Sequence, residues 1–145
     1  KKVKVTHLME NNFSKEIMQA CSGLLINVAD ADNIIESDEL NAIQDILIDF
    51  FAIDDITAQD LIDHSLHELN MKKDLFGAGK YLNDTFTEEE KIDFLHCIYE
   101  VGYSDGSLHH IEEHMIKQIA NILHLEHKDI VNANIEVKGW FKDDK

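Results

Sequence analysis

Apolar residues recur along this chain at three- and four-residue intervals, the spacing that gathers them on one face of a helix. Ile17, Cys21, Leu24, Leu25 and Val28 form the first such face, with Ser14 placed to cap it. Leu40, Ile43, Ile46, Leu47 and Phe50 form a second. Ser37 is its expected cap, with Asp38 and Glu39 in a first turn where carboxylates suit the helix dipole. Thr57 with Asp60 is expected to open a third helix over Leu61, Ile62, Leu66 and Leu69. Leu75 to Asn83 reads as a shorter fourth, loosened by Gly77 and Gly79. Thr87 and Glu90 have capping-box spacing and start a fifth face of Ile92, Leu95, Ile98 and Val101. Ile111, Met115, Ile116, Ile119 and Leu123 give a sixth, and Asp129 to Ala133 a last short helix. No useful stretch alternates with the period of a strand, and no Pro- or Ser-rich linker divides the chain. The pattern predicts an all-α fold: a compact bundle of about seven helices in one domain over 13–136, with an N-terminal tail over 1–12 and a C-terminal tail over 137–145.

Sliding the chain on itself by 73 positions (105 − 32) lays Asp32 on Asp105, Leu25 on Ile98, Val28 on Val101 and Ala29 on Gly102. Past the turn, Ile35 falls on Leu108, Glu39 on Glu112, Ile43 on Ile116, Ile46 on Ile119 and Phe50 on Leu123. Core meets core and acid meets acid, which predicts two pseudo-symmetric helix-turn-helix repeats. Each reads as an apolar helix, an Asp, a residue that tolerates the left-handed backbone (Asn33 or Gly106), an aliphatic and a Glu.

Composition narrows the partners. The chain of 145 residues carries a formal net charge of −16, and all 13 of its basic residues are lysines. Without guanidinium forks and with a repelling surface, nucleic acid and anionic lipid are poor partners. Cations or a basic protein surface suit it better. The absence of proline favours uninterrupted helices. No apolar run approaches the ~20 residues of a membrane span and no signal peptide is visible, so no membrane insertion and a cytoplasmic location are expected. Cys21 and Cys97 sit in apolar stretches and read as reduced core thiols. The chain opens at Lys1 rather than Met, as a piece of a longer protein would.

The acidic turn residues carry the candidate chemistry. Asp30 and Asp32 lie near the negative end of the first helix, where a carboxylate is mildly unfavourable. A divalent cation such as calcium, magnesium or manganese would offset that cost, with Asp30, Asp32, Glu39, Asp105 and Glu112 as ligands and Glu36 and Glu113 as weaker candidates. The competing view is local: Asp32 and Asp105 bond turn N–H groups and the glutamates are ordinary first-turn residues. The turns imitate the second half of an EF-hand loop, but position one would fall on Val28 and Val101, which supply no oxygen, so a true EF-hand is rejected. His110 and His114, four apart on one helix face, are a weaker zinc candidate among nine histidines. No HExxH, phosphate-binding glycine loop or Glu-x-x-His occurs; Asp93 with His96 is the nearest approach, and no enzyme is expected.

The stretch Leu24 to Asn33 followed by Glu39, and Val101 to Leu108 followed by Glu112, resemble the two signatures of the TerB-like family, and Ile119 to Leu125 resembles its closing pattern. The resemblance implies a compact helical fold with pseudo-twofold symmetry and no enzymatic activity. It also implies acidic residues associated with a divalent metal, at Asp32, Glu39, Asp105 and Glu112 here, and links to tellurite and other stress responses. Asn33, where glycine is usual, and His109-His110, where acidic or small residues are common, depart from the pattern. The function expected is a divalent-metal-binding or metal-sensing module in a tellurite or stress-response system, with a protein partner. A metal-independent acidic adaptor or co-chaperone-type module is the alternative. The sequence leaves the oligomeric state open.

Overall fold

The computed structural model describes residues 13–69 and 75–142; the segment read as an N-terminal tail lies outside them. Among the described residues there are seven helices and no strands: α1 Lys15–Ala29, α2 Ser37–Phe51, α3 Asp55–Glu68, α4 Leu75–Thr85, α5 Glu88–Tyr103, α6 His110–Ile122 and α7 His127–Lys142. The all-α expectation holds. α1 buries residues nearly all round, Ile17, Cys21, Leu24, Leu25, Ile26, Val28 and Ala29 among them. A helix apolar on every side belongs at the centre, and α1 packs against α2, α3, α4, α5 and α6. α7 packs on α5. At one end of the bundle Phe13, Phe50, Phe51, Phe86 and Phe94 meet edge-to-face or tilted, with centroids 5.1–6.2 Å apart. Cys21 and Cys97 are free and buried, and burial pushes both thiols well above their ordinary range.

Two caps are as the sequence predicts. The Ser14 hydroxyl accepts from Ile17 N, and Thr87 and Glu90 complete a reciprocal box at 2.8 and 3.1 Å. Other boundaries move. α2 is capped at Glu36, so Ser37 is its first helical residue rather than its cap. α3 starts at Asp55, because Asp54 rather than Thr57 is the N-cap and accepts from Thr57 N at 2.9 Å. On α6 the buried face is turned: Ile111 is 54% exposed and Glu112 is 1% exposed. The last helix is not a short Asp129–Ala133 segment. The stretch read as a tail from residue 137 continues it to Lys142, with Ile130, Ala133 and Val137 buried on α5. Trp140 stacks on His96, and Phe141 on Tyr103.

Candidate functional site

The two turns are built alike, bond for bond, at the 73-residue offset. Ala31 N donates to Val28 O and Ser104 N to Val101 O, each at 3.2 Å. Asn33 N donates to Asp30 O at 2.8 Å and Gly106 N to Tyr103 O at 2.9 Å. The residue that receives the left-handed backbone is Asn33 in one turn (φ 66°) and Gly106 in the other (φ 112°). Asp32 Oδ1 accepts from Ile34 N at 3.1 Å, and Asp105 Oδ1 from Ser107 N at 3.5 Å. Paired core positions are paired in burial as well: Leu25 with Ile98, Val28 with Val101 and Ile43 with Ile116 are all at 0% exposure. The second turn is the tighter one. A Cβ at Gly102 would lie 2.6 Å from Leu108 Cδ1 and 3.1 Å from Ile116 Cδ1, so the aliphatic after the turn closes directly onto backbone.

The aspartates thus serve their own turns, and it is the glutamates that converge. Glu39 and Glu112 each occupy the third position of a helix and fold back on its cap. Glu39 Oε1 accepts from Glu36 N at 2.8 Å, and the Glu112 carboxyl accepts from His109 N. This carries both side chains inward, where they are 1% exposed and hydrogen-bonded to one another across α2 and α6. Glu112 Oε1 is buried without a hydrogen-bond partner. Two carboxylates in one enclosed place cannot both ionise cheaply. Burial, then the bond to Glu39 and its charge, then Asp105, push Glu112 from 4.5 up to about 9, against the bond from His109, which lowers it. Glu112 is thereby held toward its protonated form.

Apart from Asp105, whose charge reaches Glu112, the other candidates stand away from this pair. Asp30 caps α1 with its backbone N–H bonded to Ile26 O and Val28 O. Glu36 is exposed at the cap of α2. Asp105 Oδ2 lies 3.1 Å from His109 Nε2, and Glu113 lies 3.5 Å from Lys117 and shares a groove with Tyr103. His110 and His114 are both exposed. Among the described residues no group of three or more His, Cys, Asp or Glu side chains stands together to hold a metal ion. What could suit a hard divalent cation is the buried pair itself: two carboxyls, one with an unsatisfied oxygen. These are all oxygen donors, which fit calcium, magnesium or manganese better than zinc. Glu39 and Glu112 are the residues that would hold the ion.

Tyr99, on α5, was not among the sequence candidates. It is fully buried, its hydroxyl has no partner, and burial with the Glu113 charge pushes it up to about 12. Its place directly after the core position Ile98 on an apolar helix is the signal the sequence offers.

The family model described as tellurite resistance protein TerB matches residues 18–135. No curated protein and no solved structure matches the chain.

Proposed function

The chain belongs to the TerB family, and on that premise we propose that it is a divalent-cation-responsive binding module, not an enzyme, working with a protein partner in a tellurite or stress-response system. The observation that carries the reading is the buried Glu39–Glu112 pair with its unpartnered Oε1. An enclosed carboxyl pair costs folding energy unless a positive charge is shared between its members. A proton is one such charge, and a calcium, magnesium or manganese ion is another that would release the proton as it binds. Because each glutamate is tied to the cap of its own helix, an ion held between them would fasten α2 to α6 and set the two turns relative to one another. That is a way for cation level to change a surface a partner reads.

No phosphate-binding loop or HExxH motif occurs in the sequence. Among the described residues no helix is long and apolar enough to cross a membrane. The net charge of −16 disfavours nucleic acid as a partner.

Calorimetric titration of calcium, magnesium and manganese into the full chain at 0.15 M salt tests the reading. A saturable heat of about one ion per chain, lost in Glu39→Gln and in Glu112→Gln, is expected. Heat no greater than the screened surface background, or saturable heat unchanged in both variants, overturns it. The first of these outcomes leaves the acidic surface as a metal-independent adaptor.

A further inference from the structure

We propose that the solvent face of α7 is a docking surface for an acidic amphipathic helix of a partner protein. The inference does not depend on cation binding. On a helix advancing ~100° per residue, Lys128, Val131, Ile135, Lys138 and Lys142 fall within an arc of roughly 80°. That arc lies opposite the face that α7 buries on α5 through Ile130, Ala133 and Val137. Val131 is 38% exposed and Ile135 65% exposed, four residues apart and so side by side.

In a chain of net charge −16, three of the seven lysines in the described segments stand on this one stripe. Lys128 also reaches Glu126 at 3.5 Å, which leaves Lys138 and Lys142 as the charges at the far end. Beside them a groove of about 550 Å³ opens between α7 and the second turn, walled by Lys138, Phe141 and Lys142 on one side and by Gly106, Ser107 and Leu108 on the other, with the Glu113 carboxylate as the one acidic group in its lining against two lysines. An apolar strip edged with ammonium groups calls for aliphatic side chains edged with carboxylates. The groove at its C-terminal end gives such a ligand an anchoring pocket.

Charge decides between a helix and a lipid surface. At 0.15 M salt fields decay over ~8 Å, so a single acidic helix lying on the stripe feels its lysines and little of the acidic remainder. A wide anionic membrane would face the rest of the chain too and be repelled. α7 is also fixed in the fold by Trp140 on His96 and Phe141 on Tyr103, so the surface is formed before any partner arrives.

The test uses the full chain and two synthetic helical peptides with the same leucine face, one flanked by glutamates and one by lysines, together with phosphatidylserine vesicles. The glutamate peptide is expected to bind at 0.15 M salt and to shift backbone amide resonances of 128–142 and 106–108. Its affinity should fall at least tenfold in Ile135→Asp, and Lys138→Glu with Lys142→Glu should reverse the preference between the peptides. Circular dichroism confirms that these exposed substitutions leave the fold intact. Binding of both peptides alike, shifts confined to other helices, no peptide binding, binding to vesicles alone, or self-association through α7 without peptide binding would each overturn the proposal.

Discussion

Replacing Glu112 by glutamine should make the protein more stable at alkaline pH while changing it little in mild acid. In the folded chain Glu112 is pushed from 4.5 up to about 9 by burial and by its bond to Glu39. Between those limits the folded protein holds a proton that the unfolded chain has released. Folding stability tied to this proton is therefore full below about pH 4.5, falls as pH rises across the window and is gone above about 9. Taken at face value, a shift from 4.5 to about 9 corresponds to ~6 kcal/mol. That is an upper bound, because the pair lies under two exposed turns whose solvent and side-chain relaxation screen it, and about 2–3 kcal/mol is the working magnitude. Glutamine keeps the shape and can donate to Glu39 as the protonated acid does, but cannot lose a proton. Urea unfolding followed by circular dichroism at several pH values from 5 to 9, in chelator, gives the difference between the two proteins. Subtraction removes the contribution of the chain's other carboxylates. Glu112→Gln should match the parent to within ~1 kcal/mol near pH 5 and exceed it by at least ~1.5 kcal/mol more near pH 8.5 than near pH 5. A difference that does not change with pH, or a variant that loses stability relative to the parent as pH rises, would refute the raised Glu112 carboxyl.

Other expectations follow from the same geometry. At pH 8, calcium at a hundredfold excess over its dissociation constant should stabilise the parent by ~2.7 kcal/mol and Glu112→Gln by nothing, read as the shift in urea midpoint. Gly102→Ala sets a Cβ 2.6 Å from Leu108 Cδ1 and should cost about 1–3 kcal/mol in urea unfolding, with partial recovery in Gly102→Ala combined with Leu108→Ala. On α6, Ile111→Ser should stay within ~0.5 kcal/mol of the parent and Ile116→Ala should cost about 2–4 kcal/mol; the reverse order would mean the helix face is drawn wrongly. Thr87→Ala should cost ~1 kcal/mol through loss of the bond to Glu90 N.

The sequence was most informative where local chemistry and burial agree. Thr87 and Glu90 announce a helix start by spacing alone, and Ile43, Ile46, Leu47 and Phe50 sit where their periodicity puts them. α6 departs from its periodicity, which puts every apolar residue inward. An N3 glutamate that returns to its own cap turns inward instead, and Ile111, one position earlier, is carried out to solvent. α7 was cut short for a different reason. Its buried side relies on Ala133 and on a gap of four to Val137, while Asn132, Asn134 and Lys138 dilute the pattern. What holds its second half is two ring stacks onto α5, contacts between positions 40 residues or so apart that no local window contains. The same limit applies to the site. Each glutamate could be named from its own turn, but that they meet depends on how α2 and α6 pack.

The two halves that meet are alike in backbone and unlike in charge, and this bears on how the pair would be reached. The first turn brings Asp30, Asp32, Glu36 and Glu39; at the same offsets the second brings Tyr103, Asp105, His109 and Glu112. Tyr103 donates its hydroxyl to Asn134 on α7, and His109 engages Asp105 at 3.1 Å, so two of the four positions in the second half are committed to other tasks. A cation drawn by the summed field would meet its higher density of carboxylates on the first turn and encounter an imidazole on the second. The turns around the two glutamates are thus alike in their hydrogen bonds and unlike in charge, with four carboxylates on the first and two on the second.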